Sequence, residues 1–248
     1  MDPRRSERPH ARSARLLGVP KWWFVAPAPL MSRRANPYQK ADHFTREAKA
    51  AGFPARSVFK LEEIDQRVKL LRPGMRVLDL GAAPGSWALY ASQRIGPKGK
   101  LLAIDRNPLT VGLPTHAQFS QGDALLLTNE TLSVFAPYDV VLSDMAPNTS
   151  GNRSADQARS FELFMRALEV AARLTQVGGS FVGKIFMGED LPLARTELRK
   201  HFGSEKLIRP EGTRSVSYEL FLVGLGRRGE GSVTPAATPR GRPDDENA

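Results

Sequence analysis

The sequence predicts an α/β fold in which a mostly parallel sheet of seven strands carries helices on both faces. Predicted strands and helices alternate from residue 75 to residue 202, and each helix returns the chain to the end of the sheet where the next parallel strand begins. Two last strands follow with no helix between them, and we expect this pair to be antiparallel because a short turn joins them. The composition of the 248 residues, 41% hydrophobic and 25% charged, is typical of a globular domain.

Two helices are predicted ahead of the sheet, over residues 38–51 and 57–70. Ser57 is the expected N-cap of the second helix, in which apolar residues recur every three or four positions. The seven strands are predicted from short apolar runs at residues 75–80, 101–105, 117–121, 138–144, 179–186, 206–209 and 217–225. The helices among them are predicted over residues 85–95, 155–175 and 190–202, with a further short helix after residue 121.

The two ends of the chain are rich in proline, arginine, glycine and serine, and they show no apolar period. We therefore predict that residues 1–36 and 226–248 are disordered and that residues 37–225 form a single domain. The first of these segments is basic, with eight Lys and Arg against two Asp and Glu. Two alternatives for this segment are a targeting peptide and a natural start of the protein at Met31.

The composition also excludes several classes of chemistry. The chain contains no cysteine, so disulfides, thiolate catalysis and Cys-ligated zinc are excluded. The four histidines are scattered without the spacing of metal ligands, and we predict no metal site. The longest apolar run, residues 22–31, contains two prolines and is too short to span a bilayer, so no membrane partner is expected. The formal charge of +10 favours a polyanionic partner instead.

A candidate cofactor site lies where the first predicted strand gives way to a helix. Gly81 and Gly85 in this turn allow close approach of the backbone to a ligand. Asp105 ends the second strand, where its carboxylate can accept both ribose hydroxyls of a nucleoside. Asp123 follows the third strand and could accept a hydrogen bond from an adenine amino group. The alternative is a tight turn beside two solvated acids.

A dinucleotide site is the rival interpretation of the same turn. Arg106, beside the acid that ends the second strand, would suit the 2′-phosphate of a nicotinamide cofactor. The turn lacks the third glycine of the dinucleotide fingerprint, however, and Pro84 removes a backbone N–H that could bind phosphate. The sequence therefore favours a nucleoside without a pyrophosphate.

Four further polar residues are predicted to meet at the carboxyl edge of the sheet. Lys184 lies in an otherwise apolar strand, where burial favours the neutral amine, and Asp144 ends a neighbouring strand. Glu219 lies near the start of the antiparallel last strand, which begins at the same edge, so we expect it to meet Lys184. Lys60 lies on the second helix. The alternatives are an edge lysine for Lys184 and a turn cap for Asp144. For Glu219 the alternative is a solvated edge acid, and for Lys60 it is a surface ion pair.

Three segments resemble FtsJ-type RNA ribose 2′-O-methyltransferases. They are Gly-Ala-Ala-Pro-Gly-Ser-Trp at 81–87, Ser-Asp-Met-Ala-Pro-Asn-Thr-Ser-Gly at 143–151 and Gly-Lys-Ile-Phe-Met-Gly at 183–188. The resemblance runs from about residue 57 to residue 224, and it implies a Rossmann-like class I methyltransferase fold with S-adenosyl-L-methionine as cofactor. It also implies a catalytic tetrad made of Lys60, Asp144, Lys184 and Glu219. The cofactor contacts of the family fall on Gly85, Trp87, Asp105, Asp123 and Asp144.

The same resemblance implies a substrate, a uridine in the 23S rRNA of the large ribosomal subunit, and a role in ribosome biogenesis. We accordingly expect a cytoplasmic protein, and a monomer. Basic segments at residues 33–60 and 195–214 could hold RNA phosphates. Two departures from the family pattern are Ser86, where relatives often carry glycine, and Thr149, where they often carry methionine. Neither departure touches the four tetrad positions.

Two questions stay open at the level of the sequence. A neutral Lys184 could accept the proton of the ribose hydroxyl, whereas a cationic Lys184 could stabilise the developing alkoxide. Within the methyltransferase class, a tRNA or mRNA-cap ribose is the main alternative target. The overall function also has two rivals: an RNA-binding or ribosome-assembly factor without turnover, and a nicotinamide-dependent oxidoreductase. The presence of all four tetrad residue types argues against the first rival, and the glycine pattern argues against the second.

Overall fold

The structure, a computed structural model, describes residues 37–211 and 218–229. The helices are α1 (Pro37–Ala50), α2 (Val58–Val68), α3 (Ser86–Ile95), α4 (Asn129–Leu132), α5 (Arg153–Leu174) and α6 (Leu191–His201). The strands are β1 (Arg76–Leu80), β2 (Lys100–Asp105), β3 (Ala117–Gln121), β4 (Tyr138–Ser143), β5 (Thr175–Phe186), β6 (Phe202–Ile208) and β7 (Glu219–Arg227). Of the two ends predicted to be disordered, residues 1–36 and 230–248 lie outside the described residues. Residues 226–229 are described.

All seven strands belong to one sheet, in the order β3-β2-β1-β4-β5-β7-β6. The strands from β1 to β5 pair in parallel, and β7 lies antiparallel between β5 and β6. The prediction of a mostly parallel α/β sheet with an antiparallel closing pair is confirmed. Because β1 to β5 are parallel, their carboxyl ends lie along one edge of the sheet, and β7 begins at that same edge.

Helices cover both faces of the sheet, and each face has its own apolar cluster. The buried part of α5 and α6 packs on one face, in a cluster that includes Phe164 and Phe181. The buried part of α2 and α3 packs on the other face, in a cluster that includes Leu61, Trp87 and Val182. Successive residues of a strand point to opposite faces, so the side chain of Lys184, two residues after Val182, belongs to the face that α2 and α3 cover.

The structure differs from the sequence-based limits of the last elements. β5 begins at Thr175 and β6 at Phe202, directly after the preceding helix and four residues earlier than predicted. In both cases pairing with another strand extends the strand beyond its apolar run: Thr175 pairs with Tyr138, and Phe202 with Arg227. The connection from β6 to β7 spans residues 209–218 and is longer than the short turn expected.

Ser57 stands at the expected N-cap position of α2, but its side chain does not cap the helix. Ser57 has helical backbone angles, φ −58° and ψ −20°, and its side chain makes no capping hydrogen bond. Its carbonyl oxygen instead accepts a hydrogen bond from the indole nitrogen of Trp87, at 2.8 Å. Among the described residues, no helix combines the length and the hydropathy that crossing a membrane requires.

Candidate active site

The carboxyl ends of β4 and β5 bring the first two site residues together. The strands are in register with Ser143 beside Gly183, so the next residue of each strand, Asp144 and Lys184, are neighbours. The Lys184 ammonium nitrogen Nζ donates to the Asp144 carboxylate oxygen Oδ1 at 2.9 Å and to its carbonyl oxygen at 2.5 Å. Only 6% of the Lys184 side chain is exposed. The amine is therefore held by two fixed acceptors and is almost fully shielded from solvent.

A second ion pair lies on the same face of the sheet. Lys60, which projects from α2, pairs with Glu219 at the first position of β7, and their side chains are 11% and 12% exposed. In the β5–β7 register Lys184 faces Phe221, and Glu219 faces Phe186. Lys184 and Glu219 are thus diagonal neighbours on one face.

The structure divides the four residues into two pairs, which differs from the expected contact between Lys184 and Glu219. Lys184 reaches toward β4, where Asp144 supplies two acceptors. Glu219 on β7 lies opposite Phe186, two residues beyond Lys184 on β5, and meets the lysine of α2. The helix comes this close because Leu61 and Ile64 are buried against the sheet in the same apolar cluster as Phe221. All four side chains are polar, nearly buried and aimed at one region.

The turn after β1 is shaped by its two glycines. Gly81 has φ 79°, and a β-carbon there would lie 2.8 Å from both Cγ and the backbone nitrogen of Met145, in the loop after β4. Gly85 has φ 117°, and a β-carbon there would lie 2.9 Å from Cγ2 of Val111. Only glycine suits these positions, because a side chain would be both strained and in collision. The turn therefore runs directly beside the loop that carries Asp144.

Asp105 ties this turn to the end of β2. One of its carboxylate oxygens accepts from the backbone N–H of Ala83 at 3.0 Å, and the other accepts from that of Asn107 at 2.8 Å. A carboxylate oxygen can accept more than one hydrogen bond, so both oxygens keep capacity for a ligand. The two backbone bonds fix the orientation of the carboxylate at the sheet edge.

Asp123 lies after β3 and has two partners. Its carboxylate accepts from the backbone N–H of Leu125 at 3.0 Å, and Nη1 of Arg106 lies 3.7 Å away. Arg106, the residue that would have suited a 2′-phosphate, is thus beside an acid. Because the Arg106 charge already lies beside a carboxylate, it is less suited to bind the 2′-phosphate of a nicotinamide cofactor.

Comparison with known proteins shows where this arrangement belongs. A family model described as FtsJ-like methyltransferase matches residues 53–227, which is more than half of the chain. The chain belongs to the FtsJ-like methyltransferase family. The resemblance drawn from the three sequence segments is therefore confirmed, and the protein is a methyltransferase.

Individual relatives of this FtsJ-like protein cover most of its length. It is 65% identical over 198 residues to the Ribosomal RNA large subunit methyltransferase E of Sorangium cellulosum, covering 80% of this chain and 93% of the relative. It is 48% identical over 195 residues to the protein of the same name from Bdellovibrio bacteriovorus, covering 77% and 99%. The crystal structure of a ribosomal RNA methyltransferase from Plasmodium falciparum has the same fold, with a TM-score of 0.62 at 24% identity, covering 70% of this chain and 97% of that one.

The position of Trp87 limits how this FtsJ-like chain could use it for a cofactor. Its ring is 2% exposed and packs against Phe221, with the ring centroids 5.6 Å apart. Its indole nitrogen is occupied by the carbonyl oxygen of Ser57. The side chain therefore belongs to the core. A cofactor contact at Trp87 remains a prediction, and it would have to use the backbone N–H in the first turn of α3, which lacks a partner within the helix.

Ser86 has a role that the sequence did not reveal. Its buried hydroxyl donates to the carbonyl oxygen of Ala55 at 3.0 Å and accepts from the N–H of the same residue at 2.9 Å. These two bonds attach the segment before α2 to the first turn of α3, and so they help to place Lys60. The only signal in the sequence was the departure of this residue from the expected family pattern.

Asp79 is the second residue that sequence reasoning missed. It lies in β1 with no exposed surface, and neither of its carboxylate oxygens has a hydrogen-bond partner among the described residues. Burial raises the pKa of the Asp79 carboxyl well above its usual value, and the nearby charges of Asp144 and Asp105 raise it further. An acid within the apolar run of residues 77–80 was the available signal. Such an orphaned carboxylate suits a cationic ligand that supplies the missing donors.

Replacing Asp79 with asparagine is expected to stabilise the ligand-free protein at neutral pH. Because the folded protein binds the Asp79 proton more tightly than the unfolded chain does, the parent protein loses stability as pH rises above about 4, until the folded-state pKa is passed. The amide carries no charge, so Asp79→Asn removes this loss. Thermal unfolding between pH 5 and pH 8 measures it, with a gain of about 2–4 °C for each kcal/mol relieved.

The matched control is Asp139→Asn on β4. The Asp139 carboxylate is satisfied by the N–H of Arg76 at 2.7 Å and by Nε2 of Gln176 at 2.6 Å, so its neutralisation should lower the melting temperature. A melting temperature for Asp79→Asn that equals or falls below that of the parent at pH 8 would contradict the assignment.

Proposed function

We propose that this FtsJ-like chain transfers the methyl group of S-adenosyl-L-methionine to the ribose 2′-oxygen of a uridine in the 23S rRNA of the large ribosomal subunit. The observation that carries the proposal is the pair of nearly buried ion pairs, Lys184 with Asp144 and Lys60 with Glu219, on one face of the sheet. The names of the relatives, at 65% and 48% identity, support ribosomal RNA of the large subunit as the substrate. A reaction on 23S rRNA would take place in the cytoplasm.

The acids around the glycine turn support the choice of cofactor. S-adenosyl-L-methionine would supply a methyl group activated by its sulfonium, and it also carries an ammonium and a nucleoside. Asp105 offers one accepting position on each oxygen to the ribose hydroxyls, and Asp123 is proposed to accept from the adenine. Burial and the nearby charges of Asp144 and Asp105 raise the pKa of the Asp79 carboxyl, and a cationic ligand beside it would offset that effect. These carboxylates therefore fit S-adenosyl-L-methionine better than they fit a dinucleotide.

The hydrogen bonds of Lys184 decide what its amine can do in such a reaction. Two of its N–H groups are donated to Asp144. A neutral amine held in this way would have its lone pair left to accept the proton of the 2′-hydroxyl. An ammonium would have one N–H left to donate to the developing alkoxide. Both roles are compatible with the same position, so the proposal includes Lys184 in either form.

The second ion pair is proposed to orient the substrate beside Lys184. Lys60 and Glu219 together carry no net charge, and their nearly buried position keeps them in one arrangement. Good alignment of reacting groups is worth about 7–11 kcal/mol of a reaction barrier. Because the methyl group is already activated, alignment of the 2′-oxygen is the main task left to the protein, together with removal of one proton worth roughly 10²–10⁴-fold.

The test is a methyl-transfer assay with radioactive S-adenosyl-L-methionine. The substrates are large ribosomal subunits and free 23S rRNA, both from a strain that lacks the gene. We expect one methyl group per rRNA, and mass mapping should find it on the ribose of one uridine. An RNA carrying a 2′-deoxy nucleotide at the mapped position is the control and should accept none.

Three outcomes would overturn the proposal. Methylation of a base instead of a ribose would contradict the reaction. Tight binding of rRNA without transfer would favour an assembly factor, and calorimetric binding of a nicotinamide cofactor in place of S-adenosyl-L-methionine would favour an oxidoreductase.

A further inference from the structure

An aromatic and cationic cluster lies next to the two ion pairs and has no role in the reaction proposed above. It consists of Tyr218, Phe186 and Arg153, and we call it the Tyr218 platform. The Tyr218 and Phe186 rings meet edge to face, with centroids 5.0 Å apart and planes at 78°. The guanidinium of Arg153 lies over the Tyr218 ring, 5.1 Å from its centroid. Both rings are half-buried, and Arg153 is exposed.

The strand register places the platform at the active site. Tyr218 immediately precedes Glu219, and Phe186 follows Lys184 by two residues and pairs with Glu219. The carbonyl oxygen of Tyr218 accepts from the N–H of Met187 at 2.7 Å, which fixes the backbone at this point. The platform is therefore only one or two residues in sequence from the two strand residues that contribute to the ion pairs.

The cation of the platform is available to a partner. Within residues 37–211 and 218–229, Arg153 makes no ion pair with an acid, whereas Arg159 and Arg173 on the same helix each have a carboxylate within 4 Å. A guanidinium plane resting on an aromatic ring, exposed and without an acid, can stack on a base or contact a phosphate. The ring beneath it is half-buried and held in place by Phe186.

We propose that the Tyr218 platform binds a single-stranded RNA base that neighbours the target ribose. This inference rests on the proposed function, because it concerns the RNA in the same site. Proteins recognise unpaired bases by stacking them on aromatic rings and on arginine planes, and such stacking tolerates different bases. The target ribose lies at the ion pairs, so the base on the platform belongs to an adjacent nucleotide.

The first test separates RNA binding from chemistry in steady-state kinetics. Tyr218→Ala and Arg153→Ala should each raise the KM for the rRNA substrate by about 5- to 150-fold, the range for loss of one stacked base. The kcat at saturating RNA and the affinity for S-adenosyl-L-methionine should stay within about twofold of the parent. Tyr218→Phe keeps the ring and should behave as the parent. Arg173→Ala, near the far end of α5, is the matched arginine control.

The second test uses a defined probe and does not depend on turnover. Fluorescence polarisation compares a ten-nucleotide oligouridine with an oligomer of equal length whose sugars carry no bases. The parent should prefer the oligouridine, and Tyr218→Ala should bind the two probes equally because the stacking surface is gone. Melting temperatures of all variants check that the fold is retained.

The results distinguish failure of this inference from failure of the proposed function. If the parent methylates rRNA while the KM and the probe preference of Tyr218→Ala equal those of the parent, the platform does not bind a base and the proposed function stands. If the parent shows no methyl transfer but prefers the oligouridine in a Tyr218-dependent manner, the platform stands as an RNA site and the reaction is wrong. A fall in kcat without a change in KM would also overturn the inference, since it indicates a role in orienting the ion pairs.

Discussion

Replacing Lys184 with alanine is expected to abolish methyl transfer while the affinity for S-adenosyl-L-methionine stays near that of the parent protein. The amine is the nearly buried donor that holds Asp144, and in the proposed function its remaining position acts on the ribose hydroxyl. Loss of a group that moves or stabilises one proton costs roughly 10²–10⁴-fold in rate. The rate is measured by radioactive methyl transfer at saturating RNA, and cofactor affinity by calorimetry.

The matched control for this variant is Lys100→Ala. Lys100 is an exposed lysine at the amino end of β2, away from the carboxyl edge of the same sheet, so its removal should leave both the rate and the cofactor affinity unchanged. Normal turnover by Lys184→Ala would show that the assignment of this residue is wrong. Equal losses in cofactor affinity and in rate would indicate that Lys184 acts in cofactor binding and not in the chemical step.

Lys184→Arg separates the two chemical roles that the geometry allows. Arginine keeps a positive charge and donates hydrogen bonds, but it does not release a proton under these conditions. Substantial turnover by this variant would favour a cation that stabilises the alkoxide. Turnover as low as that of Lys184→Ala would favour a neutral amine that accepts the proton.

The contact between Lys184 and Asp144 could be predicted because it follows from strand topology. Both residues lie at the carboxyl edge of parallel strands, and strands that are neighbours in a parallel sheet bring their carboxyl ends together. The apolar runs around each residue identified the strands. The partner of Glu219 could not be found in this way, because Lys60 arrives from α2 and not from the sheet.

The placement of α2 depends on contacts between residues far apart in the sequence. The Ser86 hydroxyl holds Ala55, and the Trp87 indole holds Ser57, across some 30 positions of the chain. Local periodicity predicted that the helix exists and which of its residues are apolar, but it contains no information on these two anchors. The earlier starts of β5 and β6 have the same origin, since pairing with another strand decides them.

Asp79 shows a different limit of sequence reasoning. An acid inside an apolar strand was visible in the sequence, yet an acid beside a turn is usually solvated, and only the structure shows that this one has no exposed surface. Its two carboxylate oxygens have no partner because the neighbouring strands and loops that the structure describes place no hydrogen-bond donor beside them. A missing partner is a property of the assembled site, so no local pattern could predict it.

Breaking the Lys60–Glu219 pair from one side is expected to destabilise the protein strongly. In Glu219→Gln the nearly buried Lys60 ammonium would lose the Glu219 charge, and in Lys60→Met the Glu219 carboxylate would lose the Lys60 charge. Removal of one partner of a buried ion pair costs about 3–5 kcal/mol of unfolding free energy. Urea denaturation measures each variant. Arg67→Met on the same helix, which removes a half-exposed partner of Glu63 at the i,i+4 position, should cost about 0.5 kcal/mol or less.

The double variant Lys60→Met/Glu219→Gln separates the structural role of this pair from its role in the reaction. Because neither residue is then charged, this pair leaves no uncompensated buried ion, and the loss of stability should be clearly smaller than the sum of the two single losses. If the pair orients the ribose, the double variant should fold well and still fail to transfer methyl groups. Additive losses would show that the two residues do not interact, and full activity of the folded double variant would limit the pair to holding α2 against the sheet.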